Sequence, residues 1–154
     1  MIFVTIGTSE PFDRLLHGLE EWAGEELVVQ GGASTVRPSN STWIDFVPFD
    51  ELTHYMQRAR VVVMHAGVGS VLAALGAGKR PIVVPRVRRF GEAVDDHQLV
   101  FARRLSTAGL VTLVEDPAAL PAAIEAARPE AVSLRQATGL ADDLRAFLTS
   151  TIRA

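Results

Sequence analysis

The amino-acid sequence predicts an α/β fold, a Rossmann-like parallel β-sheet with helices on both faces. Short apolar runs typical of strands alternate with stretches in which apolar residues recur at helical spacing. Two runs, residues 61–64 and 81–85, are almost continuously apolar, as expected of parallel strands buried on both faces. The 154 residues suffice for one domain with its own core, and no repeat or linker divides them. We therefore expect a single domain over residues 1–154.

Each predicted element is bounded by its own pattern. We predict strands at residues 2–6, 27–29, 43–47, 61–64, 81–85 and 110–114. We predict helices at about 12–22, 50–58, 70–77, 96–106, 117–127 and 133–152. Asp50 is placed to cap the second helix, and Asp116-Pro117 opens the fifth. This alternation favours a parallel sheet with right-handed crossovers, which binds ligands at the carboxyl ends of its strands.

The composition excludes several classes of function. A net charge of −3 gives no general attraction to nucleic acid. The absence of cysteine excludes disulfides, thiolate metal sites and thiol nucleophiles, and no metal-binding motif is evident. The N-terminus lacks the features of a signal peptide, and no apolar run reaches membrane-spanning length. We therefore expect a cytoplasmic protein without a metal or cofactor, which reaches a membrane only through another protein.

A glycine turn between a buried strand and a helix is the most informative segment. Gly67 and Gly69 precede Ser70 there, where unpaired amides and the helix dipole favour an anion such as a pyrophosphate. Ser70 could cap the helix or bind a phosphate oxygen. The alternative is that the turn only packs the helix closely on the strand. The motifs GxxxxGK[ST] and GxGxxG after the first strand are absent, which disfavours an ATPase or an ordinary dehydrogenase.

A polar cluster, Gly91 to Gln98, follows a loop that contains three arginines. Its carboxylates and its amide could hold several sugar hydroxyls at once. The alternative for Asp95 or Asp96 is a simple cap at the start of the next helix. Arg86, Arg88 and Arg89 could contact an acceptor phosphate or an anionic headgroup, or could belong to an ordinary solvated loop.

The order of these motifs resembles the C-terminal, UDP-sugar-binding half of family-28 GT-B glycosyltransferases. The chain carries HAGxGS at 65–70, GKxPIVVPR at 78–86 and GExxDDHQ at 91–98, and its first strand runs into GT and FDRL. The resemblance covers most of residues 1–115. It is strongest to stand-alone small catalytic subunits of two-component UDP-sugar transferases, those of asparagine-linked glycosylation and their bacterial exopolysaccharide counterparts. A single GT-B half-domain is the fold that this resemblance implies.

The resemblance implies a diphosphate-binding loop at the second glycine turn, a glycine loop facing the cleft after the first strand, and a donor-sugar segment in the polar cluster. Arg86 before that cluster and Glu92 within it are added to this set. The predicted substrate-binding residues are Gly7, Thr8, His65, Gly67, Gly69, Ser70, Arg86, Glu92, Asp96, His97 and Gln98. Two positions depart from the family. Many relatives have an acidic residue, which contacts the ribose, where this chain has Ala73. Many also have a histidine where this chain has Ala93.

The resemblance further implies inverting, metal-independent transfer, in which main-chain amides stabilise the departing diphosphate. The catalytic base is unknown. His65, Glu92 and His97 are the candidates, and His17 and His54 are also chemically capable, but no spacing selects one. We expect a partner to supply the base.

A GT-B cleft lies between two halves, and this chain has residues for one. We therefore expect a membrane-associated partner subunit that supplies the acceptor half, with a lipid-linked or polysaccharide acceptor at the cytoplasmic membrane face. The segment 133–152 could dock on that partner or pack back on its own sheet; its apolar residues are Leu134, Leu140, Leu144, Phe147, Leu148 and Ile152. The alternatives are a non-catalytic nucleotide-sugar-binding module or regulatory subunit, and a UDP-sugar epimerase, which the length of the chain disfavours.

Overall fold

The computed structural model describes residues 1–130 and the separate positions 132, 142, 145, 146 and 149. The predicted helix at 133–152 falls on a stretch of which only the last four of these positions are described. Its six apolar residues lie outside the described residues, so the two alternatives for this segment stay predictions.

Six parallel strands form one sheet, in the order β3-β2-β1-β4-β5-β6. The strands are β1 (Ile2–Thr5), β2 (Leu27–Gln30), β3 (Ser41–Ile44), β4 (Val61–His65), β5 (Ile82–Val84) and β6 (Thr112–Leu113). Each predicted strand is present. The order reverses beside β1, because the chain runs from β1 to β3 on one side and from β4 to β6 on the other.

Helices cover both faces of this sheet. They are α1 (Asp13–His17), α2 (Phe49–Arg58), α3 (Val68–Gly76), α4 (His97–Thr107) and α5 (Leu120–Ala126), with 3-10 turns at Arg88–Phe90 and Pro117–Ala119. Alternate residues of the strands enter two separate cores, because successive side chains of a strand point to opposite faces. Ile2 and Val4 pack with α1 and α5, whereas Phe3 packs with α2, α3 and α4. The predicted fold class is confirmed.

The reversal of strand order places a crevice at the carboxyl ends of β1 and β4. The loop after β1 and the loop after β4 leave the sheet in opposite directions there, and ligands of open α/β sheets bind at such a point. We call this space the crevice; residues 6–12 and 65–70 border it.

Two predicted elements end at least three residues earlier in the structure than the sequence predicts. The first helix was predicted to reach residue 22, but α1 ends at His17, and Gly18 packs against Pro117. The third strand was predicted at 43–47, but β3 pairs with β2 over Ser41–Ile44 and the chain then leaves the sheet. In both cases a tertiary contact, rather than the local apolar pattern, sets the end of the element.

The two predicted helix caps have different outcomes. Asp50 does not cap α2, since the helix already begins at Phe49 after Pro48, and Asp50 lies in its first turn. A carboxylate in the first turn still interacts favourably with the helix dipole. Asp116 caps the 3-10 turn Pro117–Ala119 that leads into α5, rather than α5 itself, because its Oδ1 accepts a hydrogen bond from the Ala118 amide at 3.0 Å.

Gly18→Ala tests the contact that ends α1. A Cβ at position 18 would lie 2.4 Å from the Pro117 carbonyl oxygen, so main chain must move. We expect the free energy of unfolding in urea to fall by about 1–3 kcal/mol. Gly76→Ala in α3 is the control, because its Cβ would meet nothing within 4 Å. It should be neutral or add up to about 1 kcal/mol, and equal effects of the two changes would refute the proposed contact.

Candidate functional site

Two glycine turns, residues 7–8 and 67–69, enclose the imidazole of His65 at the end of β4. Gly7 has a φ of +83°, and a Cβ there would lie 3.2 Å from His65 Nε2. A Cβ on Gly67 would lie 2.3 Å from His65 Cε1, which no side chain could accommodate without movement. A side chain at either position would therefore crowd the His65 ring, and the positive φ of Gly7 favours glycine for a second reason. The structure thus brings together the glycine loop of the first strand and the HAGxGS motif.

The start of α3 opens onto the crevice without a side-chain cap. Gly67 occupies the N-cap position and its carbonyl accepts from the Val71 amide at 2.9 Å, which leaves the earlier amides of the first turn without intrahelical acceptors. A Cβ on Gly69 would meet nothing within 4 Å, so the space beside these amides is open. Ser70 lies inside the helix and is not its cap. An uncapped helix start beside open space can bind an anion.

His65 is uncharged at neutral pH. Its burial, and then the nearby charge of Arg86, lower its pKa to about 4. Among the described residues Nδ1 is enclosed without a hydrogen-bond partner, while Nε2 lies 3.4 Å from Ser70 Oγ. A base with so low a pKa takes up a proton poorly at pH 7. The geometry therefore favours His65 as a neutral polar neighbour of the α3 start over His65 as the catalytic base.

Arg86 is buried, and its guanidinium donates three hydrogen bonds to main-chain carbonyls. It donates to the carbonyls of Ile6 (2.7 Å), Glu10 (2.9 Å) and Pro11 (2.7 Å) and lies 4.7 Å from the ring centre of Phe12. The structure thus gives Arg86 the role of fixing the loop after β1. Its predicted contact with a substrate stays a prediction. Arg88 and Arg89 are exposed, and their predicted contacts with a phosphate or a headgroup stay predictions as well.

Three side chains of the polar cluster fold back on the start of the β5–α4 connection, defined as residues 85–96. The amides of the consecutive residues 86, 87 and 88 donate to Gln98 Oε1 (3.1 Å), Glu92 Oε2 (2.9 Å) and Asp96 Oδ1 (2.9 Å), respectively. These acceptors therefore organise the connection itself. Because Oε1 of Gln98 is taken, its Nε2 is the atom oriented to donate elsewhere. Asp96 precedes α4, but its carboxylate does not cap the helix.

Asp95 and His97 form a pair at the start of α4. Asp95 Oδ1 accepts from the His97 amide at 3.0 Å, and Oδ2 lies 2.6 Å from His97 Nδ1. These contacts lower the pKa of Asp95, with the amide of His97 as the largest cause. A carboxylate on Nδ1 sets the orientation and the tautomer of an imidazole. Of the two readings that the sequence left open for Asp95, a ligand of sugar hydroxyls and a cap, the hydrogen bond to the His97 amide resembles the cap, and a role toward a sugar stays a prediction.

Arg14 was missed as a site residue, although it lies in the FDRL motif. It donates from Nε to Glu92 Oε1 at 2.6 Å and from Nη2 to Glu92 Oε2 at 3.1 Å. Glu92, a candidate base, thus directs both oxygens to Arg14 and to the connection. Its predicted catalytic and binding roles stay predictions. Only a correlated change at positions 14 and 92 among relatives could have revealed this pair from sequence.

The remaining predicted residues lie apart from this network. Thr8 is exposed at the edge of the crevice, whereas Ala73 lies within α3 and is buried in the core. His17 pairs with Glu20 at 2.8 Å on the surface, and His54 is exposed on α2. The structure brings neither histidine to the glycine turns through a recorded contact, and their possible roles as bases stay untested.

Two exposed aromatic residues lie beyond the carboxyl end of β3. Phe46 is 73% exposed and Phe49, the first residue of α2, is 68% exposed. Sequence reasoning missed them because it assigned Phe46 to a strand. Exposed aromatic rings at a ligand-binding edge offer surfaces on which a planar group can stack.

No helix within the described part of the chain is both long and apolar enough to cross a membrane.

The titration of His65 predicts a pH dependence of stability. The unfolded chain takes up a proton near pH 6.5, whereas the folded protein does so only near pH 4. The unfolded state therefore binds more protons in this window, and stability must fall as the pH falls through it. Across this window, the protonation of His65 should lower the free energy of unfolding by about 3 kcal/mol in total. We expect unfolding free energies measured from pH 7 to 4 to fall less steeply for His65→Gln, and identical slopes would refute the assignment.

Comparison with known proteins gives a consistent result. Residues 1–142 match the profile of the glycosyltransferase family 28 C-terminal domain. The chain is 45% identical over 121 residues to the UDP-N-acetylglucosamine transferase subunit ALG13 of Yarrowia lipolytica, an alignment that covers 68% of this chain and 60% of that protein. It is 33% identical over 122 residues to the human subunit of the same name, covering 70% of this chain but 10% of that protein.

Solved structures with the same fold are glycosyltransferases. CalG4, the calicheamicin glycosyltransferase, superposes with a TM-score of 0.60 at 19% identity, and the match covers 97% of this chain and 43% of CalG4. SnogD from Streptomyces nogalater gives a TM-score of 0.56 at 21% identity, with 76% of this chain and 32% of SnogD covered. The fold of this chain thus matches one part of each of these longer proteins. The profile match over residues 1–142, together with the 45% identity to the Yarrowia lipolytica subunit, shows that the chain belongs to the family of glycosyltransferase family 28 C-terminal domains.

Proposed function

We propose that this chain is the donor-binding catalytic subunit of an inverting, metal-independent UDP-sugar glycosyltransferase. One observation carries the proposal: the start of α3 is uncapped, opens onto the crevice at Gly69 and lies beside the neutral imidazole of His65. Family membership adds that relatives with this domain are named UDP-N-acetylglucosamine transferase subunits. UDP-N-acetylglucosamine is therefore the first donor to test.

In the proposed reaction the diphosphate of the donor binds at the start of α3. The bond between the anomeric carbon and the β-phosphate oxygen breaks, and negative charge builds on that phosphate. Main-chain amides aimed at this charge stabilise the transition state, and the helix dipole adds to their effect. An acceptor hydroxyl attacks the anomeric carbon from the opposite face, which inverts its configuration. No cofactor enters this scheme.

The sugar of the donor is proposed to lie against the start of α4. Asp95, His97 and the Nε2 of Gln98 are the polar groups that the β5–α4 connection presents there. A carboxylate and amide donors suit sugar hydroxyls, which both donate and accept hydrogen bonds. The exposed rings of Phe46 and Phe49 could support the uracil at the other side of the crevice.

The acceptor site and the base are proposed to come from a second subunit at the cytoplasmic face of a membrane. Of the three candidates in this chain, His97 pairs with Asp95 and stays untested as a base. His65 has a low pKa and Glu92 faces Arg14, so neither of these two is well placed to take a proton from an acceptor. The same observation supports the alternative of a non-catalytic nucleotide-sugar-binding module. Turnover in the presence of a partner distinguishes the two.

Gly69→Ala tests the phosphate position without disturbing the fold. Its Cβ would meet no atom within 4 Å and would tilt toward the start of α3, into the space proposed for the diphosphate. We expect the affinity for UDP, measured by calorimetry, to fall by about tenfold or more, about 1.4 kcal/mol. The stability should not fall. Gly76→Ala at the other end of α3 should leave the UDP affinity unchanged and the stability unchanged or higher by up to about 1 kcal/mol, and undiminished UDP affinity in Gly69→Ala would overturn the assignment.

Co-expression with a membrane-associated subunit tests the proposed activity. Release of UDP from UDP-N-acetylglucosamine, with transfer of the sugar to lipid or polysaccharide in membrane extracts, should require both subunits. Ser70→Ala should lower this rate, because its hydroxyl lies at the proposed phosphate site. Binding of UDP without transfer in any combination would instead favour the non-catalytic alternative.

A further inference from the structure

We propose that Arg14 is a positioning residue: through Glu92 it holds the β5–α4 connection in the shape that presents Asp95, His97 and Gln98 to the sugar of the donor. The inference rests on the proposed function for the identity of the ligand. The holding of the connection itself rests only on contacts within the chain.

The contact between Arg14 and Glu92 has the geometry of a strong ion pair. Two parallel N–H···O bonds join residues 78 positions apart in sequence, from Nε to Oε1 at 2.6 Å and from Nη2 to Oε2 at 3.1 Å. Their side chains are only 21% and 9% exposed. A bidentate pair shielded from water is stronger than an exposed one, which contributes little.

Arg14 also contacts the first residue of the connection and the chain that follows β6. Its Nη2 donates to the Pro85 carbonyl at 2.9 Å, just after β5, and its Nη1 donates to the Glu115 carbonyl at 3.1 Å, just after β6. The guanidinium lies 4.6 Å from the centre of the Phe90 ring, within the 3-10 turn. One side chain on α1 therefore joins the ends of two strands to the loop between β5 and α4.

Glu92 connects Arg14 to the polar cluster, Gly91 to Gln98. Its Oε2 accepts from the Val87 amide, next to the amides that bond Gln98 and Asp96. Without Arg14, the nearly buried carboxylate of Glu92 would lose its bidentate ion pair and keep only the electrostatic interaction with Arg86, which is costly. The connection should then open so that water can reach Glu92, and the amides of 86–88 would lose their side-chain acceptors. The start of α3 makes none of these contacts and should keep its affinity for phosphate.

The binding experiment compares UDP with UDP-N-acetylglucosamine by calorimetry. In Arg14→Gln we expect the affinity for the sugar nucleotide to fall by about 10- to 100-fold, as for other misplaced positioning groups. The affinity for UDP should change less than about twofold. The exchanged pair, Arg14→Glu with Glu92→Arg, should recover part of the loss. Equal losses for both ligands, or no loss for the sugar nucleotide, would overturn the positioning role.

Arg103→Gln is the matched control, because it removes an exposed arginine that pairs with Glu115 at 2.7 Å and does not contact the connection. Both affinities should be unchanged in this variant. Thermal unfolding of each variant identifies any that does not fold. If Arg14→Gln does not fold, the double variant Arg14→Glu with Glu92→Arg still tests the inference.

Hydrogen exchange of the free protein separates this inference from the proposed function. Arg14→Gln should speed exchange of the amides of 86–88 while the amides of β4 and α3 stay protected, and Arg103→Gln should not. Faster exchange at 86–88 supports the holding role even if the wild-type chain fails to bind UDP, a failure that would refute only the proposed function. Unchanged exchange at 86–88 in a folded Arg14→Gln protein would refute the holding role whatever the ligand.

Discussion

The hydrogen bonds that the Arg86 guanidinium donates to the loop after β1 are the contacts on which the geometry of the crevice depends. Arg86 follows β5, yet its three carbonyl acceptors belong to the loop after β1, and β4 lies between these two strands. Neighbouring strands are about 4.8 Å apart, so the side chain must cross the carboxyl end of β4. It thereby holds the first glycine loop over His65 and places a positive charge beside that imidazole, which helps to keep it neutral.

This arrangement decides which polar groups remain for a ligand. Arg86 is committed to carbonyls, Glu92 to Arg14, and Asp96 to the Arg88 amide, so many of the charged groups in the motifs maintain the loops. The polar groups beside the glycine turns are neutral: the amides at the start of α3 and the imidazole of His65. For the proposed function, the diphosphate would then be stabilised by fixed dipoles, which need no reorganisation as charge develops.

The fold could be predicted from sequence because its signals are local and repeated. The apolar runs of β4 and β5 and the glycine turn after β4 each determine structure within a few residues. The site could be predicted only in part. A motif shows that Arg86 and Glu92 lie near the carboxyl edge, but not whether they face a ligand or other protein groups. The partner of Glu92 is 78 residues away, and the end of α1 depends on Pro117, so neither follows from a local pattern.

The exposed surface around the crevice bears on how such a site could support catalysis. The space beside Gly69 is open, and Phe46, Phe49 and Val94 are exposed among the loops of residues 45–49 and 91–96. Fixed dipoles stabilise a developing charge far better where water is excluded, because the effective dielectric constant is lower. The described residues form one wall of a site and leave the other side to solvent. Under the proposed function, a second subunit would therefore be needed to enclose the diphosphate as well as to bring the acceptor.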